Sequence, residues 1–488
     1  MPQRVCQTET EYTRVGSNYV NGAWKREFSH RPLQLIDPDT ERPRGTLMCA
    51  NTDLVGKAVQ AATCARDPFA AYSAEDRSSV LEHLVELLLR NSESFAQVIS
   101  SEIGAPITFA RSGQVQAGIA HLRSYRDALS RVPEQLQQNN DPKQRIQYEP
   151  VGVAALITPW NWPLNQVILK VGAALAAGCP MVLKPSEYAT ATATAFAELV
   201  AQLDLPKGVF NLVIGDGATG KLLVDHPDVS MISFTGSTET GRFIAQRAAL
   251  RVARSAMELG GKSANLLFAD CDVQTAVRQG VAHCFRNAGQ SCNAASRMLV
   301  ERQIYDRVLD LAVSEANAMN VGKPFEPGTQ IGPLVNAKQY ARVRSFIDAG
   351  KISGARLLAG GSAPPSHLQS GYYVQPTVFA DVEPNNDLFQ GEIFGPVLTI
   401  TPFDTEDEAI HLANATQFGL AAYIQTRDME RADRVASRLH AGMVQINGTS
   451  RAEGAPFGGV KASGYGRESG IWGIRSFQDV KSISGVGA

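Results

Sequence analysis

The sequence predicts an α/β protein built from two strand–helix units and a small β extension. Three observations lead there. Apolar strand-like runs alternate with helical runs from about residue 151 to 270, and a second alternation follows from 263. The polar segment RVPEQLQQNNDPKQRIQYEP (131–150) and the tail FQDVKSISGVGA belong to neither. Repeated strand–helix units imply a parallel sheet covered on both faces.

In the first unit VGVAALITP reads as a strand, LNQVILKVGAALAAG as a helix ending at Gly178, and PMVLKP as a second strand. ATATAFAELVAQL follows as a helix, GVFNLVIG as a third strand, and VSMISFTG as a fourth leading into the helix STETGRFIAQRAAL. In the second unit SANLLFAD and SRMLVER are strands flanking the helix TAVRQGVAHCFRNAG, which is expected to run to Gly289. IYDRVLDLAVSEANAM is a helix; PVLTITPF, EDEAIHLANAT and AAYIQT continue the alternation. Segment 131–150 has prolines near both ends and a QQNNDP turn, and reads as an exposed ribbon arm. Val480, Ser482 and Ile483 make the tail a strand in search of a partner, so arm and tail together suit subunit pairing. A loose tail is the alternative.

A chain of 488 residues exceeds what one core supports. The expected division is 1–128 with 150–258 as a cofactor domain, 259–450 as a second α/β domain, 129–149 with 470–488 as arm and tail, and 451–469 as a return segment to the first domain. Hydrophobic residues at 44%, charged residues at 19% and a net charge of −2 argue for an ordinary globular enzyme with no nucleic-acid or membrane partner. The polar N-terminus has no apolar core, so it does not read as a secretory signal. The most apolar stretch (167–183) is broken by Lys170, Gly178 and Pro180 and is too short to span a bilayer. Seven scattered cysteines without a CxxC pair argue against a disulfide framework or zinc site and fit a reducing cytoplasm.

Several short stretches carry chemistry. NAGQSCNAASR sets Cys292 among small and amide side chains, where a substrate can approach; a structural thiol more often sits among Leu, Ile and Val. FTGSTETG places Gly236 and Ser237 where a strand meets a helix N-terminus, which binds anions or is merely capped; the spacing is not GxGxxG. In LKPSE, Lys184 at a strand end can bind ribose or phosphate. Glu187 can accept from ribose hydroxyls and would repel a 2′-phosphate, which favours NAD; a surface ion pair is the plain alternative. TPWNWPLNQ clamps Trp160, Asn161 and Trp162 between Pro159 and Pro163, so Asn161 can donate to a developing oxyanion. MELGGKSAN puts Glu258 before two glycines, either as a general base or as a surface carboxylate. EIFGP and APFGGVKASGYGRE are further glycine-punctuated loops.

ITPWNWP, LKPSE, FTGSTETG, ELGGKS, GQSC, EIFGP and PFGGVKASGYGRE stand in the order and spacing of the NAD(P)-dependent aldehyde dehydrogenase superfamily, which the chain resembles from about residue 15 to 485. The resemblance implies a Rossmann-like cofactor domain, an α/β catalytic domain and a small β oligomerisation arm, assembled as a homodimer or homotetramer. It implies Cys292 as nucleophile, Glu258 as general base, Asn161 as oxyanion amide beside the Cys292 N–H, and Lys170 near the base and its proton path. For NAD, with NADP possible, it implies contacts from Thr158, Pro159, Trp160, Lys184, Ser186, Glu187, Gly217, Phe234, Gly236, Ser237, Leu259, Gly260, Glu392 and Phe394. Glu258 points to the branch that hydrolyses its thioester to a free acid rather than passing the acyl group on. No metal is implied.

In the family the substrate tunnel is lined by the PWN helix, the nucleophile loop and the segment before PFGG. Here these supply Trp162, Asn165, Gln166, Leu169, Arg286, Asn293 and GTSRAEGA (448–455), an aromatic and polar mix. Arg286 or Arg451 can hold a substrate carboxylate, or either is a surface arginine. PWNWPLNQ with GQSCNA is similar to the subgroup that oxidises long-chain oxo-acids and pyridyl or aromatic semialdehydes. A cysteine hydrolase would share Cys292 and Asn161 but have no use for LKPSE, FTGSTETG and EIFGP.

Overall fold

A computed structural model describes residues 16–138 and 141–485. Its first sheet has eight strands in the order Ala23–Lys25, Asn18–Val20, Phe210–Leu212, Met181–Pro185, Ala154–Thr158, Met231–Thr235, Arg254–Glu258 and Gly464–Tyr465. The five from Phe210–Leu212 to Arg254–Glu258 are parallel. From Ala154–Thr158, successive strands are added first on one side and then on the other. The strand order therefore reverses between Ala154–Thr158 and Met231–Thr235, and a crevice opens at their carboxyl ends.

Ala154–Thr158, Met181–Pro185 and Met231–Thr235 are buried along their whole length, as expected of a sheet covered on both faces. The covering helix Pro163–Ala177 starts with proline at its first turn and stops at Gly178, whose φ of 83° caps it. Leu164, Ile168, Val171 and Leu175 along it are at most 1% exposed, and each contributes about 1.5–3 kcal/mol by burial. Helices Ala74–Arg90 and Val115–Leu129 close over it. The Tyr125 hydroxyl donates to the Leu169 carbonyl at 2.7 Å, fixing the register of that contact.

The second sheet runs Arg356–Ala359, Thr377–Ala380, Val397–Phe403, Arg297–Glu301, Ala264–Leu267, Ala421–Gln425 and Met443–Ile446, parallel except for the first strand. Residues 259–263 carry the chain from one sheet to the other. The arm and tail form a third, antiparallel sheet in which Gln478–Ser484 pairs with Asp141–Pro150, placing Val480 opposite Tyr148 and Ile483 opposite Arg145. The tail thus finds its partner in its own chain.

One expected element is shorter than its periodicity. The helix over 275–289 ends at Phe285, and Asn287, Ala288 and Gly289 all take positive φ (56°, 55° and 73°). An apolar pattern does not register a left-handed turn, and this turn aims the next residues back toward the first sheet.

Candidate active site

The left-handed turn makes the nucleophile loop. Two consecutive non-glycine residues in that region cost about 1–3 kcal/mol each, so the surroundings must hold them. Asn287 Nδ2 donates to the main-chain carbonyls of Asn161 (2.8 Å) and Gln290 (3.3 Å), and Gln290 Nε2 donates back to the Asn287 carbonyl (3.1 Å). Gln114 Nε2 reaches Asn287 Oδ1 and the Asn161 carbonyl, while Val335 N–H donates to Gln290 Oε1 at 3.0 Å. Trp162 Nε1 donates to Ser291 Oγ at 2.9 Å, and the Tyr423 hydroxyl to the Asn293 carbonyl at 2.8 Å. Asn287 and Gln290 fasten this loop, and so does Trp162, which the family resemblance also places in the substrate tunnel.

Cys292 is half-buried and packs against the apolar cluster of Ala295, Leu420, Ala421, Tyr423 and Met443, alongside Phe457. Burial pushes its thiol up, and the charges of Glu392, Glu258 and Glu468 push in the same direction. With those carboxyls ionised the sulfur holds its proton, so attack needs a base or a cation brought alongside.

Asn161 is 3% exposed, and its Nδ2 sits 2.9 Å from the Gln290 carbonyl. An amide nitrogen has two hydrogens; the second is free for a substrate oxygen beside the loop.

Glu258 ends the strand Arg254–Glu258, 2% exposed, with neither carboxyl oxygen bonded to a described residue. Burial first, then the Glu468 charge, raises it well above the usual carboxylate range, while Lys170 and Arg467 oppose the rise. Lys170 is buried in the covering helix and donates to Glu468 Oε1 at 2.6 Å and to Ser233 Oγ at 3.0 Å. Glu468 lies inside a motif quoted above, yet the sequence assigned it no role; an acid closing GYGRE was the available signal.

The crevice at the strand reversal collects the expected cofactor residues. At one end Lys184 is buried with its pKa lowered by burial, against the opposing charges of Glu187 and Asp216. Ser186 caps the turn holding Glu187, and Gly217 opens the helix Gly217–Asp225 behind Asp216. At mid-crevice the Thr158 and Thr235 hydroxyls are buried without a described partner, flanked by Pro159, Phe234, Gly236 and Ser237. Unpartnered buried hydroxyls at a switch point fit a polar ligand lying across it. The Gly236 N–H, however, donates to the Glu258 carbonyl at 3.0 Å, and Ser237 Oγ caps Thr240 N–H at 3.2 Å. Those two groups already have protein partners, so a ligand at this turn would meet Gly236 and Ser237 through their remaining groups.

At the other end EIFGP meets ELGGK. Glu392 Oε1 accepts from Gly261 N–H at 3.0 Å, and a Cβ on Gly260 would stand 2.3 Å from Glu392 Oε2. Burial pushes Glu392 up to about 7, opposed by that N–H, Arg342 and Lys262. Phe394, at φ 60°, sets its ring 5.6 Å from Trp160, edge to face. Leu259 is buried and donates its N–H to the Ser463 carbonyl at 3.0 Å. This end of the crevice lies beside the nucleophile loop, because a Cβ on Gly261 would stand 2.2 Å from the Cys292 carbonyl oxygen. Among the described residues no His, Cys, Asp and Glu cluster is arranged to hold a metal.

The aldehyde dehydrogenase family model matches residues 24–483. The chain belongs to the aldehyde dehydrogenase family. A 3-succinoylsemialdehyde-pyridine dehydrogenase from a Pseudomonas species is 42% identical over 469 residues, covering 96% of this chain and 98% of the relative. An aldehyde dehydrogenase from Bartonella henselae has a TM-score of 0.94 at 45% identity, covering 96% and 98% of the two chains. Aldehyde dehydrogenase C of Pseudomonas syringae, a cysteine-to-alanine mutant solved with NAD+ and octanal, has a TM-score of 0.95 at 42% identity, covering 97% and 98%. The two-sheet α/β architecture is thus the aldehyde dehydrogenase fold, and the expected enzyme class stands.

Around Cys292 this dehydrogenase presents two arginines. Arg286 is exposed and has no ion-pair or hydrogen-bond partner among the described residues, yet its charge reaches His283 and Tyr423 beside the nucleophile loop. Arg451 is partly buried, donates to the Ala455 carbonyl and lies 5.4 Å over the Phe457 ring.

Proposed function

We propose that Cys292, Asn161, Glu258 and Lys170 carry the oxidation of an aldehyde to a free acid by this NAD-dependent aldehyde dehydrogenase. The observation behind this reading is the juxtaposition of a half-buried thiol with a buried carboxyl whose oxygens are both without described partners. Cys292 Sγ bonds to the aldehyde carbon, its proton passing to a base, and the alkoxide is stabilised by the second Asn161 amide hydrogen and the Cys292 N–H. Bound NAD supplies the acceptor for the aldehyde hydrogen and its electron pair, which leaves a thioester on Cys292. Glu258 then takes a proton from water as its oxygen adds to the acyl carbon, and the sulfur leaves as thiolate. Lys170 holds Glu468 and so sets the field in which Glu258 gains and loses its proton.

The crevice residues Thr158, Pro159, Trp160, Lys184, Ser186, Glu187, Gly217, Phe234, Gly236, Ser237, Leu259, Gly260, Glu392 and Phe394 are the proposed NAD contacts. Glu187 disfavours a 2′-phosphate beside it. Residues 1–128 and 150–258 form the proposed NAD-binding domain, 259–450 the catalytic domain, 129–149 and 470–488 the arm and tail, and 451–469 the return segment; the first 15 and last three residues lie outside the described ones. Exposed Val480 and Leu136 on the small sheet and the partly exposed edge strand Met443–Ile446 support a homodimer or homotetramer. The described cysteines are all free thiols, which supports a reducing cytoplasmic setting. No helix among the described residues is long and apolar enough to cross a membrane.

The substrate we propose has an apolar or aromatic body and a carboxylate or keto oxygen at its far end. The body suits Tyr423, Phe457 and Met443 around Cys292, and the oxygen suits the unpaired Arg286. The relative named for a pyridine semialdehyde is consistent with such a body. NADH absorbance on mixing protein, NAD and short aliphatic, aromatic and carboxylated aldehydes tests this. Arg286→Leu should raise KM for the carboxylated members about tenfold or more, the worth of a charged hydrogen bond, and leave the aliphatic ones unchanged. Undiminished turnover by Cys292→Ser would overturn the assignment of the nucleophile.

A further inference from the structure

Just past Glu258, two buried cations line one cavity that no carboxylate among the described residues lines. Lys262 is 2% exposed, and its ammonium has no hydrogen-bond partner among the described residues. Arg297 is also 2% exposed. Its Nε, Nη1 and Nη2 donate to the carbonyls of Lys262, Leu412 and Ala413 at 2.9, 2.8 and 2.8 Å, and the guanidinium lies 4.5 Å over the Phe389 ring. Neither makes an ion pair with a carboxylate among the described residues. Burial pushes Lys262 down to about 7 and Arg297 down to about 9. The Glu392 charge does reach Lys262, but its Oε1 is taken by the Gly261 N–H. A third cation, Lys461, feels the charge of Arg297 and donates to the Asn414 and Thr416 carbonyls.

Lys262 and Arg297 line the same small cavity, with Ala413, Asn414, Phe418 and His440 among the other residues around it. Its volume is about 10 Å³, room for a single small occupant on the scale of one water. A phosphate or carboxylate does not fit. A water would accept from the ammonium but leave the excess of positive charge uncompensated, and unpaired buried charge is strongly unfavourable.

We propose that this cavity is a binding site for a single halide anion, chloride being the abundant one, held by Lys262 Nζ and the Arg297 guanidinium. The position gives the site a use. Lys262 directly follows Gly261, which donates to Glu392 and packs against the nucleophile loop so closely that a Cβ there would stand 2.2 Å from the Cys292 carbonyl oxygen. An anion that fixes Lys262 therefore braces the strip joining Glu258, the nucleophile loop and the Glu392 end of the crevice.

The test uses crystals of the full chain grown in sodium bromide, with melting curves in sodium chloride, bromide and gluconate at matched ionic strength. The expected result is a bromide anomalous peak between Lys262 and Arg297, with a melting temperature on the order of 2 °C or more higher in the halides. That gain should vanish in Lys262→Met. Should Lys262→Met fail to fold, the wild-type halide series and the anomalous map still decide. A cavity holding water alone in bromide overturns the proposal, and so does a bromide peak with no halide-specific gain, which marks an adventitious ion only.

Discussion

Lys170 Nζ lies 2.6 Å from Glu468 Oε1, and this buried pair acts on a third group, Glu258, whose carboxyl it leaves without a described partner. The charge of Glu468 raises Glu258 and that of Lys170 lowers it. The general base works ionised, so hydrolysis fails as pH falls through its raised pKa, and the acid limb should lie above the ordinary carboxylate range. Lys170→Met removes a lowering charge and should move that limb to higher pH; Glu468→Gln removes a raising one and should move it lower. Steady-state pH profiles of the three proteins check this, and shifts in the same direction would sink the assignment.

Glu258→Gln should separate the two halves of the reaction. The first-turnover burst of NADH, for which Cys292 and Asn161 are the proposed groups, is expected to persist. Steady turnover should fall by about 10²–10⁴-fold, the usual worth of a positioned base. Stopped-flow absorbance reads both phases, and equal loss of both would refute the division of labour.

Asn161→Ala removes one oxyanion donor and should lower kcat about 10²–10³-fold. It also removes the bond to the Gln290 carbonyl that helps hold the left-handed turn. Titration of Cys292 with a thiol reagent should therefore change in rate as well, whereas a pure oxyanion role would leave it constant.

Gly261→Ala forces a methyl to within 2.2 Å of a main-chain oxygen of the nucleophile loop. Backbone cannot yield as a flexible side chain does, so a cost of about 1–3 kcal/mol in stability is expected, together with weaker NAD binding through the displaced Gly261–Glu392 bond. Calorimetry and NAD titration by fluorescence measure the two effects separately.

The strands and helices of both α/β units were legible because each buries a continuous apolar run or stripe. The helix before the nucleophile was overextended because Asn287 and Ala288 look like helix residues until their neighbours are known. Cys292, Glu258 and Asn161 stood out as reactive types among glycines and prolines. Glu468, Gln114 and Tyr423 did not, because a carboxylate, an amide or a phenol gains meaning only from what lies opposite it. Ser237 and Gly236 were readable as the mouth of a helix, but not that the Gly236 N–H donates to Glu258 or that the Ser237 hydroxyl oxygen caps Thr240.

By itself the sequence determined the order of the elements, the two-unit α/β architecture and the reactive residue types, since these follow from local periodicity and from side-chain chemistry. The tertiary structure alone decided which groups share a field: residues 170, 258 and 468 meet because a helix, a strand end and a distant return loop converge. Electrostatics and desolvation depend on distance in space rather than along the chain. For that reason the protonation of the base, the bracing of the nucleophile turn and the unanswered charge of Lys262 were invisible until the chain was folded.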